Sequence, residues 1–459
     1  MYDVAIIGAG PAGYVAGIRA SQLGLKACII EKNKVGGVRL NVGCIPSKSF
    51  IHQAGIFASQ NTLSQMGIRL DNSGFDFGKV VSNSRSAVNR LVKGVEHLLK
   101  KNNVEVIRGH AQIASERAIR IDDGKEVNAK HILIATGSRP SRPADIEFDE
   151  KRILSSDGIL QIRKLPKSLL IMGAGPIGCE FAYIMNSFGV DVHLVEMAPQ
   201  ILPFEDADTV RVLTESFTER GINILTGTRM ISIQKSPRTV TVTVEENGGS
   251  RKELKSDMAL CVIGRTPNTD RIGLEEIGIQ TEMGLIPVRE YYQTQIENIF
   301  AVGDIIATPQ LAHVASKEAE IAIEHIAGRE TAPGIDPATI VSAVYCEPEV
   351  AGFGLQEKTA KEKQIAYNKT IVPFVAAGKA ITIGKTERLV KIISDPRTLE
   401  ILGAQVVGHN ATELIHEMLL AKTAELLPED IVNMIHAHPT LSEVVLEGMR
   451  EVKGQGIHV

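Results

Sequence analysis

Two segments of this chain carry the residues needed to hold a dinucleotide. Gly8-Ala9-Gly10-Pro11-Ala12-Gly13 follows the apolar run Val4-Ala5-Ile6-Ile7, and Gly173-Ala174-Gly175-Pro176-Ile177-Gly178 follows Leu169-Leu170-Ile171-Met172. In each copy a helix and a second apolar strand come next, and an acid, Glu31 or Glu196, stands 23 positions after the first glycine. The first glycine (Gly8, Gly173) permits the tight turn. The second (Gly10, Gly175) lets backbone approach a pyrophosphate, and the third (Gly13, Gly178) lets helix pack on strand. The helix N-terminus presents free N–H groups to the phosphates. The acid accepts from ribose hydroxyls and repels a 2′-phosphate, so Glu196 favours NAD over NADP. One such loop is weak evidence. Two, each in strand–loop–helix–strand context with its acid in place, predict two bound dinucleotides.

The remaining elements must carry these loops. The 459 residues suggest about three domains, and 44% hydrophobic and 23% charged residues are ordinary for a globular enzyme. A net charge of -4 gives no electrostatic case for nucleic acid or membrane binding. No apolar run is long enough to span a bilayer and no signal peptide precedes the first strand, so a cytoplasmic protein is expected. Five scattered cysteines (Cys28, Cys44, Cys179, Cys261, Cys346) form neither a disulfide framework nor a zinc-spaced cluster, and no metal site is expected. Ile132-Leu133-Ile134, closed by Ala135-Thr136-Gly137-Ser138, and Ile299 to Val302, closed by Gly303-Asp304, read as short parallel strands of an interrupted first domain. After about residue 336 the pattern changes to strand-like runs (340–344, 365–374, 389–393, 401–407) followed by helical ones (411–424, 428–433, 441–452). The expected division is a first dinucleotide unit at 1–145 and 270–335, interrupted by a second at 146–269, and an α+β interface domain at 336–459. The fold class is α/β with two Rossmann-like domains.

The segment Gly43-Cys44-Ile45-Pro46-Ser47-Lys48, with Ala135-Thr136-Gly137, Gly264-Arg265, Gly303-Asp304, Leu311-Ala312-His313 and His436-Ala437-His438-Pro439-Thr440 plus Glu443, closely resembles the dihydrolipoyl dehydrogenase family of flavin disulfide reductases. The resemblance spans essentially the whole chain. It implies FAD on the first glycine loop, NAD(H) on the second, and hydride transfer between them. It implies cofactor contacts at Gly37, Ala111, Thr136, Gly137, Asp304, Ala312, His313 and Gly264. It further implies an ion pair of Lys48 and Glu180 at the flavin, which stabilises negative charge on the reduced ring. His438 with Glu443 is implied as an acid–base pair. That histidine approaches the redox cysteine of the other subunit in the family, so the resemblance implies an obligate homodimer. A lipoyl-bearing protein of a 2-oxoacid dehydrogenase or glycine cleavage complex is the implied partner. His436 reads as a structural neighbour, and Pro176 removes an N–H beside the nicotinamide loop.

One position departs from the family. Its redox loop carries two cysteines; the flavin-proximal one matches Cys44, and the interchange cysteine falls at Arg39. No other cysteine lies in this loop, and Cys346 reads as far off in the third domain. Dithiol exchange proceeds through a mixed disulfide that a second thiol must resolve. Lipoamide turnover is therefore expected to be impaired, while NADH-to-flavin electron flow survives. Three readings stay open: an altered dithiol site, a single-cysteine oxidase or peroxidase that cycles Cys44 through sulfenic acid beside the Arg39 guanidinium, and a diaphorase- or transhydrogenase-like role. A cofactor-binding complex subunit with little turnover is the reading outside enzymology.

Overall fold

The computed structural model describes residues 1–122, 124–143 and 146–459. The expected boundary at residue 145 therefore lies outside the described residues. Buried runs such as Val4–Ile7 and Ile29–Ile30 have no polar side to show, so they become inner strands of a parallel sheet. In that first sheet Glu105–Arg108, Ala27–Glu31, Tyr2–Ile7 and Glu126–Ile134 run parallel in this order. The strand expected at 132–134 is nine residues long. Its outer half alternates exposed and buried residues and pairs antiparallel with Ala118–Ile121, whose hairpin mate is Ala111–Ser115. Its inner half is wholly buried and pairs parallel with Ile299–Ala301. The chain thus returns to its first sheet after an excursion, which is the interrupted α/β architecture expected.

The excursion holds a second parallel sheet, ordered Asn223–Leu225, Asp191–Val195, Ser168–Met172, Met258–Cys261, Ile153–Leu154, with an antiparallel three-stranded sheet beside it. The two glycine-loop helices, Pro11–Gln22 and Pro176–Ser187, have the same length and the same N-cap geometry. The last unit is a five-stranded antiparallel sheet backed by Ala411–Thr423 and Glu443–Val452. Its strand Glu349–Gly354 lies outside the runs read from sequence.

Two helices carry the redox segment. Gly37–Asn41 bears Arg39, and Cys44–Ala58 begins at Cys44. Phe50 and Ala54 of the second are fully buried in a core that also takes Leu169 and Ile171 from the second sheet and Val344, Cys346 and Val350 from the last unit. All three units therefore clamp this helix. Phe77–Lys101, a 25-residue helix not read from sequence, buttresses it: Ser84 Oγ donates to Pro46 O at 3.2 Å and Arg85 to Asn41 O at 2.7 Å. Among the described residues no helix is long and apolar enough to cross a membrane.

Candidate active site

The first glycine loop sits where backbone meets backbone. A Cβ on Gly8 would lie 2.3 Å from Ala135 O, and one on Gly13 only 1.8 Å from Gly8 O, so neither position accepts a side chain. Gly8 also takes φ +104°, a left-handed value that favours glycine. Nothing stands within 4 Å of where a Cβ of Gly10 would be, and no side chain caps the helix that follows. Its first-turn N–H groups face an open cradle, the arrangement that receives a phosphate. The second loop repeats this: 1.9 Å from Gly178 to Gly173 O, open space at Gly175, no side-chain cap. Both loops fit a dinucleotide by this test.

The two acids are held alike. Glu31 accepts from Ala9 N–H at 2.7 Å and Asn33 N–H at 2.6 Å; Glu196 accepts from Ala174 N–H at 2.7 Å and Ala198 N–H at 2.8 Å. A carboxylate has about four acceptor sites, so each keeps capacity for ribose hydroxyls. Sequence reading assigned the acids to ribose alone; their bracing of the glycine loops is an added role.

The other expected contacts come from several separate segments. Gly37 lies over Gly10, with Cβ to Cα at 2.7 Å if substituted. Gly109 N–H donates to Glu31 O and leads into buried Ala111. Thr136 and Gly137 are tied to Asn268 by three hydrogen bonds of 2.7–3.0 Å. Asp304 accepts from Ser138 Oγ, and Arg265 Nε reaches Ser138 Oγ at 2.7 Å and Asp304 at 3.8 Å. Gly303 N–H donates to the fully buried Glu318 at 2.6 Å. Ala312 opens the 15-residue helix Ala312–Ile326, again without a side-chain cap. His313 donates from Nε2 to Val341 O at 2.9 Å; burial lowers its pKa, and Arg39 and His416 lower it further. Gly264, at φ +134°, ends the strand segment beside Gly173.

At the redox helix, Lys48 Nζ donates to both oxygens of Glu180 at 2.9 Å. Burial works against the charged amine, yet Glu180 and then Cys44 outweigh it and raise its pKa. The Lys48 ammonium lies 4.5 Å from the centre of the Tyr345 ring, and Tyr345 N–H donates to Glu180 Oε1 at 3.2 Å. Cys44 is exposed, whereas Cys28, Cys179, Cys261 and Cys346 are buried and all five are free thiols. Burial pushes Cys28 up to about 12 and Cys261 up to about 11, and raises Cys179 and Cys346 as well. These four are poor nucleophiles. Cys346, read from sequence as far off in the third domain, packs in the core that holds Phe50 of the redox helix and lies in electrostatic reach of Cys179 and Glu180. Arg39 is half-buried and, among the described residues, makes no hydrogen bond or ion pair. Its charge is felt at His313.

His438 Nδ1 lies 2.9 Å from Glu443 Oε1, and Glu443 Oε2 accepts from Thr440 N–H at 2.9 Å. Glu443 is held below the usual carboxylate range, because His438 and Thr440 outweigh the burial that raises it. The His438 ring is 75% exposed and turned outward. His436 is buried against Glu417 at 2.9 Å, a structural pairing. Ser138 and Arg265 stand in segments already singled out in the sequence, where no role was given to their side chains; the structure pairs them with each other and with Asp304. Glu318 and Tyr345 come from segments without a motif, so no local signal marks them.

Residues 2–319 match the family described as pyridine nucleotide-disulphide oxidoreductase, and 340–449 match its dimerisation domain. The dihydrolipoyl dehydrogenase of Geobacillus stearothermophilus is 39% identical over 461 residues, covering 100% of this chain and 97% of that one. That of Bacillus subtilis (strain 168) is 38% identical over 471 residues, covering 100% and 99%. Among solved structures, LpdA from Mycobacterium tuberculosis superposes with TM-score 0.91 at 27% identity over 98% of this chain and 99% of that one. The HOCl-induced flavoprotein disulfide reductase RclA from Escherichia coli gives 0.88 at 26% identity, with the same coverage.

Proposed function

Because this chain belongs to the pyridine nucleotide-disulphide oxidoreductase family, whose dihydrolipoyl dehydrogenases use FAD and NAD(H), we propose that it is an NADH–FAD oxidoreductase of that type whose dithiol exchange is disabled at Arg39. The two cofactors supply hydride transfer. The chain supplies the two glycine cradles, with FAD on Gly8–Gly13 and NAD on Gly173–Gly178. Glu31 and Glu196 brace the loops and take the riboses. Lys48, fixed by Glu180, places a positive charge at the flavin, and Asp304, Ala312 and His313 line the same crevice. In the His438–Glu443 pair, the Nδ1 proton is held by the carboxylate, which leaves Nε2 to take and give protons.

The domain division proposed is 1–145 with 270–335, 146–269, and 336–459. A homodimer is proposed through the last unit. There Ile435 is fully exposed, and Ile381, Leu420 and Ile457 are each more than half exposed. Exposed apolar side chains on this unit suit an interface between copies, and the outward His438 would then serve the partner's site. Docking to a lipoyl-bearing protein is the partner proposed from the family.

The observation that carries the reading is that Cys44 is the only exposed thiol among the five cysteines. With no second thiol within the loop, a mixed disulfide has no resolving group. Restoring it is the test. Arg39→Cys should raise dihydrolipoamide turnover by orders of magnitude while NADH-dependent dye or quinone reduction changes little. Anaerobic NADH titration should show one electron pair taken up before the change and two after it. Full lipoamide turnover by the chain as it stands would overturn the proposal. A second reading is favoured by Cys44 facing Lys48 electrostatically. A thiolate there would attack hydrogen peroxide, taking one oxygen to form sulfenate and releasing the other as water; two electrons from NADH and two protons would then return it to the thiolate, the sulfenate oxygen leaving as a second water.

A further inference from the structure

We infer that Tyr345, carried by the C-terminal unit, is a positioning residue for Lys48: its ring confines the ammonium above the Glu180 carboxylate and so sets the oxidised–reduced equilibrium of the bound flavin. The inference rests on the reading that the Lys48–Glu180 pair serves the flavin. A lysine ammonium is a compact charge on a stem with four rotatable bonds. Glu180 holds it from one side only, through two bonds of 2.9 Å. The Tyr345 ring adds a second contact at 4.5 Å, inside the range of a cation–π interaction. The same residue grips the other partner, since its N–H donates to Glu180 Oε1 at 3.2 Å.

Tyr345 is itself rigidly seated. It follows the strand Ser342–Val344, and its neighbours Val344 and Cys346 are each 1% exposed in the core that holds Phe50 of the redox helix. The ring therefore cannot drift independently of the helix that bears Lys48. Three units meet at one ammonium: the redox helix supplies the lysine, the second sheet's helix the carboxylate, and the interface domain the ring. Among the described residues the Tyr345 hydroxyl makes no hydrogen bond, so the ring face is the working part.

The test is the midpoint potential of FAD in the purified dimer, read by anaerobic dye equilibration. Tyr345→Leu removes the ring and should shift the equilibrium about tenfold toward oxidised flavin, a fall of about 30 mV for a two-electron couple. Tyr345→Phe keeps a quadrupole and should restore the potential. Tyr345→Trp, with the strongest ring, should raise it, and this arm decides the matter if Tyr345→Leu fails to retain FAD. A purely structural role would alter stability or FAD content and leave the potential in place. Unchanged potentials in Tyr345→Leu and Tyr345→Trp, or an equal fall in Tyr345→Leu and Tyr345→Phe, overturn the inference. Lys48→Met separates the two layers. If it shifts the potential and Tyr345→Leu does not, only the inference fails; if neither does, the placement of the pair at the flavin fails with it.

Discussion

The second glycine loop makes a prediction in which two neighbouring glycines part company. Substituting Gly178 drives a Cβ to 1.9 Å from Gly173 O, about 1.5 Å inside the 3.4 Å at which ordinary contacts begin. The obstacle is backbone, so the helix Pro176–Ser187 must lift from the strand Ser168–Met172. Overpacking of this kind costs about 1–3 kcal/mol. Gly175 is different: its φ of -69° suits alanine, and the added Cβ meets nothing within 4 Å. Gly175→Ala should leave the fold within about 0.5 kcal/mol of the parent. Its methyl group, however, fills the cradle over the helix N-terminus and displaces a phosphate oxygen from an N–H. One charge-assisted hydrogen bond is worth about 1.5–3 kcal/mol, which is roughly 10- to 100-fold in NADH affinity. The assay is thermal unfolding without NADH beside NADH titration of the FAD-loaded protein. Gly175→Ala should keep Tm and lose affinity; Gly178→Ala should lose both. Unaltered NADH binding by Gly175→Ala would refute the placement of the pyrophosphate on this helix.

Two further outcomes follow from charges away from the glycine loops. Lys391 is 1% exposed and donates to Asp206, Asp208 and Glu357 at 2.7–3.0 Å, joining the second dinucleotide unit to the interface domain. Lys391→Met leaves Asp206 and Asp208 without this cation, while Glu357 keeps Lys361 and Lys369, and should cost about 3–5 kcal/mol, seen as a lower denaturation midpoint with FAD bound. Glu347 is brought down to about 2; burial opposes this, but His409 at 3.4 Å and Lys385 at 3.2 Å prevail. A depressed carboxyl stabilises the fold above its ordinary value of 4.5 and loses that contribution as pH falls toward its folded value. Tm should therefore decline between about pH 4.5 and 2, and Glu347→Gln should flatten that limb; an identical acid profile in the variant would show that the pair contributes nothing.

What sequence revealed and what it hid divide along physical lines. The glycine loops are local: Gly8 and Gly13 contact each other five residues apart, so spacing alone encodes their geometry. The His438–Glu443 pair is local for the same reason, a turn returning one side chain to another. The clamp on the redox helix is not. Ser84, Arg85, Tyr345 and Cys346 reach Pro46, Asn41, Glu180 and the core around Phe50 through tertiary packing. Apolar residues at 77, 80, 81, 88, 95 and 99 recur at helical spacing, so the helix Phe77–Lys101 is legible in the sequence, but spacing does not say which neighbour its buried face meets. Sequence distance likewise says nothing of how close Cys346 lies to Glu180.

If dithiol exchange is disabled at Arg39 as proposed, the position of that side chain accounts for how one half of the chemistry would be lost without the other. Its helix Gly37–Asn41 is secured by Asn41, which donates to Val35 O and Gly37 O, and by Arg85, which donates to Asn41 O. None of these contacts involves the side chain at 39, so a change there leaves the backbone of the loop intact. Gly37 stays docked on Gly10 and Cys44 still starts its helix. Everything proposed for nicotinamide-to-flavin transfer lies within one chain: two cradles, two braced acids, and the Lys48–Glu180 pair. On the reading proposed above, the thiol half needs more: a second sulfur at the loop, and a histidine that the outward His438 would supply only to another copy. The electron supply would then be the robust part of this molecule and the thiol exit the fragile one, with the side chain at position 39 on the boundary between them.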